Sequence, residues 1–159
     1  MTEQGLAVFD IDGVVADVRH RLHHLAGRFK DWDGFFYEAS EDPPLPTGIA
    51  LVHELAARHE IVWLTGRPEW LFSVTRDWLD SHSLPGDELY MRPNYDMRPA
   101  RLYKLDVLRD LAPRQVAAFI DDDDEVVRAA LAAGFPAVLA DWVPRAEAMR
   151  QAQDRLGRT

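Results

Sequence analysis

The chain has 159 residues, 47% of them apolar, and its 18 Lys plus Arg against 27 Asp plus Glu give a formal charge of −9. That size suits one domain of ordinary dimensions with a substantial core, no apolar run approaches the ~20 residues of a membrane span, and the acidic balance argues against broad non-specific nucleic-acid binding without excluding a local basic groove. Cysteine is absent, which excludes disulfides, thiol catalysis and cysteine-ligated zinc, and the start MTEQGLAVFD lacks the basic and apolar pattern of a secretion signal, so a cytoplasmic location is the default expectation.

The first apolar run, Leu6–Phe9, reads as a buried strand and ends in Asp10-Ile11-Asp12-Gly13. Asp10 and Asp12 share a side if the chain stays extended, and Gly13 then lets the backbone turn. Two carboxylates this close suit a divalent cation, or a division of labour in which one is ionised and the other protonated. A plain turn closing a strand is the alternative. An EF-hand is excluded, because that loop needs a third acid before its glycine.

Residues 17–47 break the rhythm of strands and helices. They hold a possible helix (Val18–Arg28), an aromatic patch (Trp32, Phe35, Phe36, Tyr37) and the breaker EDPPLP. About thirty residues is too few for a second domain but sufficient for a lid. His20 and His24 have the one-turn spacing that can bind zinc. No third ligand is evident beside them or His23, and a solvated or lid-packing helix is the simpler reading.

A helix near 48–58 leads to the strand Ile61–Leu64, which ends in Thr65-Gly66-Arg67-Pro68. Pro68 suits the first position of a helix over 68–82. Backbone N–H groups there, with the Thr65 hydroxyl, would cradle an anion at the positive end of the helix dipole, although an ordinary helix cap fits as well. The strand Glu88–Met91 leads into an arginine-rich run over 92–101 that includes Arg92, Tyr95 and Arg98. The helix at 99–111 carries Lys104, which taken alone would be one more solvated lysine.

The strand Val116–Ile120 ends in four aspartates, Asp121 to Asp124. Like charges this close need a cation, a helix N-terminus or water. The expectation is a split: Asp121 and Asp122 lie on the edge with Asp10 and face a bound cation, while Asp123 and Asp124 cap and complement a helix over 124–133. A strand at Ala137–Leu139 and a helix near 144–156 complete the chain. Such alternation reads as a doubly wound α/β domain with a mainly parallel five-stranded sheet, residues 1–159 forming a single unit with a small helical lid near 17–47. In such sheets ligands bind beyond the carboxyl ends of the strands, where Asp10, Asp12, Thr65, Gly66, Arg67, Arg92, Asp121 and Asp122 all fall.

In order, FDIDGVV, WLTGRP, a helical lysine and FIDDDD, the chain resembles the haloacid dehalogenase (HAD) superfamily of aspartate-nucleophile phosphotransferases over nearly its whole length. ADVRHRLHHL, KDWDGFF, TGRPEW and MRPNYDMRPARLYK are similar to the 3′-phosphatase domain of phage-type polynucleotide kinase-phosphatases. The resemblance implies a three-layer, Rossmann-like fold and Mg²⁺-dependent phosphomonoester hydrolysis. Asp10 would form an aspartyl-phosphate, Asp12 would protonate the leaving alkoxide and then activate water, and Thr65 and Lys104 would hold the phosphoryl oxygens. The metal would be held by Asp10, the Asp12 carbonyl and Asp121, with Asp122 ligating or orienting. Arg21, Gly66, Arg67, Arg92 and Arg98 would contact substrate phosphate. Position 14 is Val where many members have Thr, a tolerated variation. GxxxxGK[ST], the kinase signature, is absent from the sequence, so the expectation is a free-standing phosphatase or one working beside a separate kinase or ligase.

The implied substrate is a 3′-phosphorylated DNA or RNA end, with the 92–101 run as its groove or, alternatively, as a plain polar loop. The competing enzymatic reading is a small-molecule phosphatase or nucleotidase, which the net charge favours. A phospho-receiver domain also gathers acids, a Thr and a Lys at strand ends, but its acidic cluster comes first, whereas here it comes last. Every motif residue is present, and nothing supports a catalytically dead binding protein.

Overall fold

In the computed structural model, residues 4–159 are described. Strands β1 (Leu6–Phe9), β2 (Glu60–Pro68), β3 (Glu88–Arg92), β4 (Val116–Asp121) and β5 (Ala137–Leu139) form one sheet. Its order is β3-β2-β1-β4-β5 and every pairing is parallel. The chain winds from β1 outward to β3, then crosses back to lay β4 on the other side of β1. That reversal puts the topological switch point at the carboxyl ends of β1 and β4, directly before Asp10 and after Ile120.

Alternation along β1 assigns the two faces. Ala7 and Phe9 pack with Ile61, Trp63 and Ile120 against Val52 of α2 (Pro46–Ala56) and Trp78 and Leu79 of α3 (Phe72–Ser81). Leu6 and Val8 pack with Val62, Leu64 and Phe119 against Tyr103, Leu108 and Leu111 of α4 (Ala100–Leu111) and Val126 and Ala130 of α5 (Asp124–Ala132). Helices thus cover both faces, the environment in which continuously apolar parallel strands are stable. A third apolar cluster joins Val18, Leu25, Phe35 and Phe36 to Leu71 and to Met149 of the last helix, Glu147–Asp154. It seats the 17–47 segment beside the sheet's carboxyl edge. Among the described residues, no helix is long and apolar enough to cross a membrane.

Three local expectations change. Val18–Arg28 does not form an α-helix: a tighter 3-10 helix spans Arg19–Leu25, α1 is the short Trp32–Tyr37, and Gly27 has φ +90° between them. Buried partners for His20 and Arg21 override helix propensity here, as described below. EDPPLP is a breaker that also starts a helix, since Pro46 occupies the first turn of α2, where its missing N–H costs nothing. Beyond Leu64, β2 shifts register yet stays extended through Pro68, which pairs with Arg92. Pro68 therefore precedes a 3-10 turn at Glu69–Leu71 rather than opening a helix, and α3 begins only at Phe72.

Trp63 lies at 0% exposure in the centre of one face, with its indole N–H donating to the Pro85 carbonyl at 2.9 Å. Trp63→Ala should cost about 3–5 kcal/mol, a large part of the ~5–15 kcal/mol typical of a domain. Urea unfolding followed by circular dichroism would measure it; a loss below about 1 kcal/mol would contradict the packing described.

Candidate active site

Asp10 extends β1 by one step, its N–H donating to Ile120 O at 2.9 Å. The chain then wraps around one carbonyl: Val14, Val15 and Ala16 all donate their N–H to Ile11 O, at 3.1, 2.9 and 3.0 Å. Gly13 makes this possible with φ +76°, and a Cβ there would come within 2.1 Å of the Asp122 carboxylate. The same glycine therefore turns the loop and admits Asp122 against it.

Lys104 reaches up from α4, buried to 1% exposure, and its Nζ lies 3.2 Å from Asp10 Oδ1 and 2.6 Å from Asp121 Oδ2. Burial alone would lower the lysine's pKa, but the charges of Asp10 and Asp121 outweigh it and hold the ammonium protonated. Ligand oxygens of Asp10, Asp121 and Asp122 all lie within 4.8 Å of one another. Asp10 Oδ2 and Asp122 Oδ1 are buried and have no hydrogen-bond partner. Burial, partly offset by Lys104 and reinforced by Asp121 and Asp12, pushes the Asp10 carboxyl up to about 8. Asp122 is raised well above its ordinary value by burial and by the charges of Asp10 and Asp121. Three carboxylates share one ammonium, and two of their oxygens are orphaned. That donor set, hard and all oxygen, fits a divalent cation of the Mg²⁺ kind.

The other two acids of the run do different work. Asp123 caps α5, accepting from Glu125 N at 2.9 Å and Val126 N at 3.4 Å, while Arg145 lies 2.9 Å from its carboxylate. Its own N–H donates to Asp121 Oδ1 at 2.9 Å and so orients that carboxylate. Asp124 occupies the first turn of α5 and pairs with Arg128, Arg145 and Arg150.

Asp12 is governed by a separate network. Its Oδ1 accepts from Arg67 Nη2 at 2.6 Å, Arg67 Nε at 3.0 Å and Arg21 Nη2 at 3.2 Å, while its Oδ2 is buried and unpartnered. Burial would raise this carboxyl's pKa, but Arg67 and Arg21 outweigh that and hold it below its ordinary value. Both guanidinium groups are at 0% exposure and also bond Asp42. Arg21 and Arg67 were expected to face substrate phosphate. In this structure they sit inside the protein, where a buried guanidinium requires carboxylate partners.

The remaining site candidates are placed as follows. Thr65 is fully buried, two residues beyond the Trp63 that pairs with Phe9, and its Oγ1 accepts from Arg67 N at 3.1 Å. The expected cradle at a helix start is therefore a strand end closed by a threonine. Gly66 faces the main chain of Thr159, where a Cβ would come within 2.1 Å of the carbonyl carbon. Arg92 is buried and donates to the carbonyls of Gly66, Asp96, Arg98 and Thr159. Arg98 is half-exposed and pairs with Asp96 and Asp106, each at 2.8 Å. These two arginines shape the 92–98 loop. Of the histidines, His20 turns inward to Asp42, and His24 lies between Asp31 and Glu38, so the two do not share a face. Asp42 and Arg145 escaped the sequence reading. The available signal for Asp42 was indirect, since two arginines held near one aspartate require a second acid.

The family model for the phosphatase domain of polynucleotide kinase PNKP matches residues 5–139. Comparison with curated proteins gave no match. Among solved structures, the chain is similar to one of the Pnkp1/Rnl/Hen1 RNA repair complex, with TM-score 0.69, 20% identity, and 87% of this chain aligned to 43% of that one. It therefore spans less than half the length of that relative. A haloacid dehalogenase-like hydrolase from Streptococcus pneumoniae matches with TM-score 0.61 at 15% identity, covering 87% and 85% of the two chains. The HAD-hydrolase YfnB from Bacillus subtilis, bound to magnesium, matches with TM-score 0.62 at 10% identity over 87% and 89%. At these identities the likeness is one of fold.

The raised carboxyls set a pH dependence. A group whose folded pKa exceeds its unfolded value stabilises the fold below the unfolded value, and that stability is lost as pH rises through the folded one. For Asp10 the window runs from 3.8 to about 8. With divalent cations chelated, the melting temperature should fall across this range, and added Mg²⁺ should raise it more at the alkaline end. Asp10→Asn should flatten the slope, leaving the shares of Asp121 and Asp122, both raised chiefly by burial, and of Asp154, whose carboxyl is pushed up to about 7 by burial and Asp123. A chelated protein whose melting temperature rises from about pH 5 to about pH 8 would contradict this account of the cluster.

Proposed function

The chain belongs to the family of polynucleotide kinase PNKP phosphatase domains and is a HAD phosphatase, and on that premise we propose that it removes 3′-phosphates from nucleic-acid ends through an aspartyl-phosphate on Asp10. The observation that carries the reading is the Asp10 carboxylate itself. It stands at the switch point, gripped on one oxygen by Lys104 and unpartnered on the other, within the carboxylate cluster it forms with Asp121 and Asp122.

In the proposed reaction an Asp10 oxygen attacks phosphorus and the bond to the leaving oxygen breaks. Asp12 gives that oxygen a proton, then takes one from the water that attacks the aspartyl-phosphate and frees inorganic phosphate. The proton would travel on Asp12 Oδ2, because Oδ1 is saturated by three N–H donors. The arginines hold Asp12 ionised at rest, and an arriving phosphate would oppose them and favour proton uptake. Thr65 and Lys104 would steady the phosphoryl oxygens. Mg²⁺ held by Asp10, the Asp12 carbonyl, Asp121 and Asp122 would offset the negative charge where phosphate meets carboxylate.

Support for a nucleic-acid end comes from the family and from exposed aromatics on the segments that follow the carboxyl ends of β2 and β3. Trp70 is 47% exposed and Tyr95 86% exposed, and each could stack a base. Trp70 also meets Phe36 and Tyr37 edge-on, at 5.7 and 5.9 Å between ring centres. The 17–47 segment would act as a small lid that leaves the site open, with residues 1–159 as one unit. A separate kinase or ligase would act in the same sequence of reactions. One observation favours small phosphate esters instead: Arg21, Arg67 and Arg92 are all engaged within the chain and leave few free cations for a long substrate.

Phosphate release with Mg²⁺ from a 3′-phosphorylated oligonucleotide, its 5′-phosphorylated twin, mononucleotides and sugar phosphates separates the two. The expected result is a strong preference for the 3′-phosphorylated strand; equal or better turnover of small esters would overturn the nucleic-acid assignment. Asp10→Asn should abolish turnover on every substrate while the circular dichroism spectrum stays unchanged. Retained turnover in that variant would exclude Asp10 as nucleophile.

A further inference from the structure

Asp42 touches none of the residues assigned to bond making, yet it is 2% exposed and accepts hydrogen bonds from both arginines that hold Asp12. Its Oδ1 accepts from Arg21 Nε at 2.7 Å, and its Oδ2 accepts from Arg21 Nη2 and Arg67 Nη2, each at 2.9 Å. His20 Nε2 lies 2.7 Å from the same Oδ1 and forms the half-exposed end of the chain of contacts. The remaining guanidinium nitrogens are fixed as well, Arg21 Nη1 donating to Phe35 O at 3.2 Å and Arg67 Nη1 to Thr75 Oγ1 at 3.3 Å. Trp78 donates its indole N–H to the Asp42 carbonyl at 2.9 Å. Two cations and two anions form a closed, buried square, with Asp12 at one corner and Asp42 at the opposite one.

We propose that Asp42 is a positioning residue for the proton donor: by fixing Arg21 and Arg67 from behind, it holds Asp12 with one oxygen clamped and the other directed to the reacting centre. The proposal rests on the reading of Asp12 as acid and base. Without Asp42, both arginines would be left with Asp12 as their only carboxylate partner and would be drawn further onto it. Either a rotated Asp12 or one clamped through both oxygens fails to deliver its proton. Because Asp42 belongs to the 17–47 segment and Asp12 to the β1 loop, the seating of that segment is thereby tied to catalysis.

A purely structural role and a positioning role differ in how they depend on the leaving group. An alkyl phosphate, such as a 3′-nucleotide ester, needs a proton as its alkoxide departs. p-Nitrophenyl phosphate does not, since its phenolate leaves unprotonated. Asp42→Asn should therefore lower kcat/KM, which reports the steps up to departure of the leaving group, on the alkyl ester by on the order of 10²-fold, the usual contribution of a positioned acid, and leave kcat/KM for p-nitrophenyl phosphate within about threefold. On p-nitrophenyl phosphate kcat and KM should fall together, because hydrolysis of the aspartyl-phosphate, which Asp12 also serves, is common to both esters. Asp12→Asn, assayed in parallel, gives the reference pattern. If it is selective for the alkyl ester and Asp42→Asn is not, the positioning role is overturned alone. If Asp12→Asn shows no selectivity, the assignment of the acid falls, and this proposal with it. Should Asp42→Asn fail to fold, the double variant Arg21→Gln with Asp42→Asn removes one buried charge of each sign and carries the same test. Equal losses in kcat/KM on both esters would then mark Asp42 as a packing residue only.

Discussion

Three carboxylates, Asp10, Asp121 and Asp122, meet at the ends of two neighbouring strands with one ammonium, Lys104, among them. Like charges about 4 Å apart repel by ~4 kcal/mol even at the effective dielectric of a protein surface, and more when buried. The fold tolerates this because the sheet places its switch point there and surrounds it with compensating groups. Lys104 is delivered by α4, an N–H by the Asp123 turn, and close approach by the missing side chain of Gly13. Each of these is costly or pointless alone. Together they describe a site whose charge is completed from outside the chain, which under the proposed function is the task of a divalent cation and a phosphate.

A few residues away the opposite solution holds. Asp12, Asp42, Arg21 and Arg67 balance one another, and each of their charges is satisfied within the protein. The two networks push neighbouring aspartates apart in acidity: Asp10 is raised by burial and by acids, and Asp12 is lowered by the two arginines. A pair of titratable groups separated in this way by their surroundings is the usual arrangement for splitting nucleophilic and proton-transfer duties. The metal, when bound, would reverse the first shift and leave the second, so Asp10 would meet phosphate as a carboxylate.

Much of this was legible in the sequence, and the reasons differ by element. Leu6–Phe9 and Ala137–Leu139 were read with their true limits because each short apolar run follows a breaker, Gly5 or Pro136, and is closed by an aspartate within two residues, Asp10 or Asp141. The division of the four aspartates followed from charge alone, since a helix start wants acids and a strand end does not; Asp123 and Asp124 lie at the helix start. What failed was long-range. The path of residues 19–25 is set by His20 and Arg21 turning toward Asp42, more than twenty positions later in the chain. Nor does anything local announce that β2 continues through Thr65-Gly66-Arg67, because that extension is fixed by pairing with Arg92. Motif context singles out Arg21 and Arg67 as site candidates but does not point to Asp42, the partner they share. A buried cation has to choose an anion, and sequence spacing cannot show which one.

The net charge of −9 looks unfavourable for an enzyme of nucleic-acid ends, but the objection weakens once the charges are located. Affinity that grows with strand length requires many exposed cations along a groove. Recognition of an end requires one phosphate held tightly, and under the proposed function Lys104 in the acidic cluster, with the bound metal, would supply the charge for it, since Arg21 and Arg67 are engaged with Asp12 and Asp42. The surface outside offers Trp70 and Tyr95, which can hold bases without regard to charge. Under the proposed function, discrimination between a nucleic-acid end and a small ester would therefore rest on stacking beside the site rather than on arginines along it. This is the division expected of a domain that must release its product after removing a single phosphate.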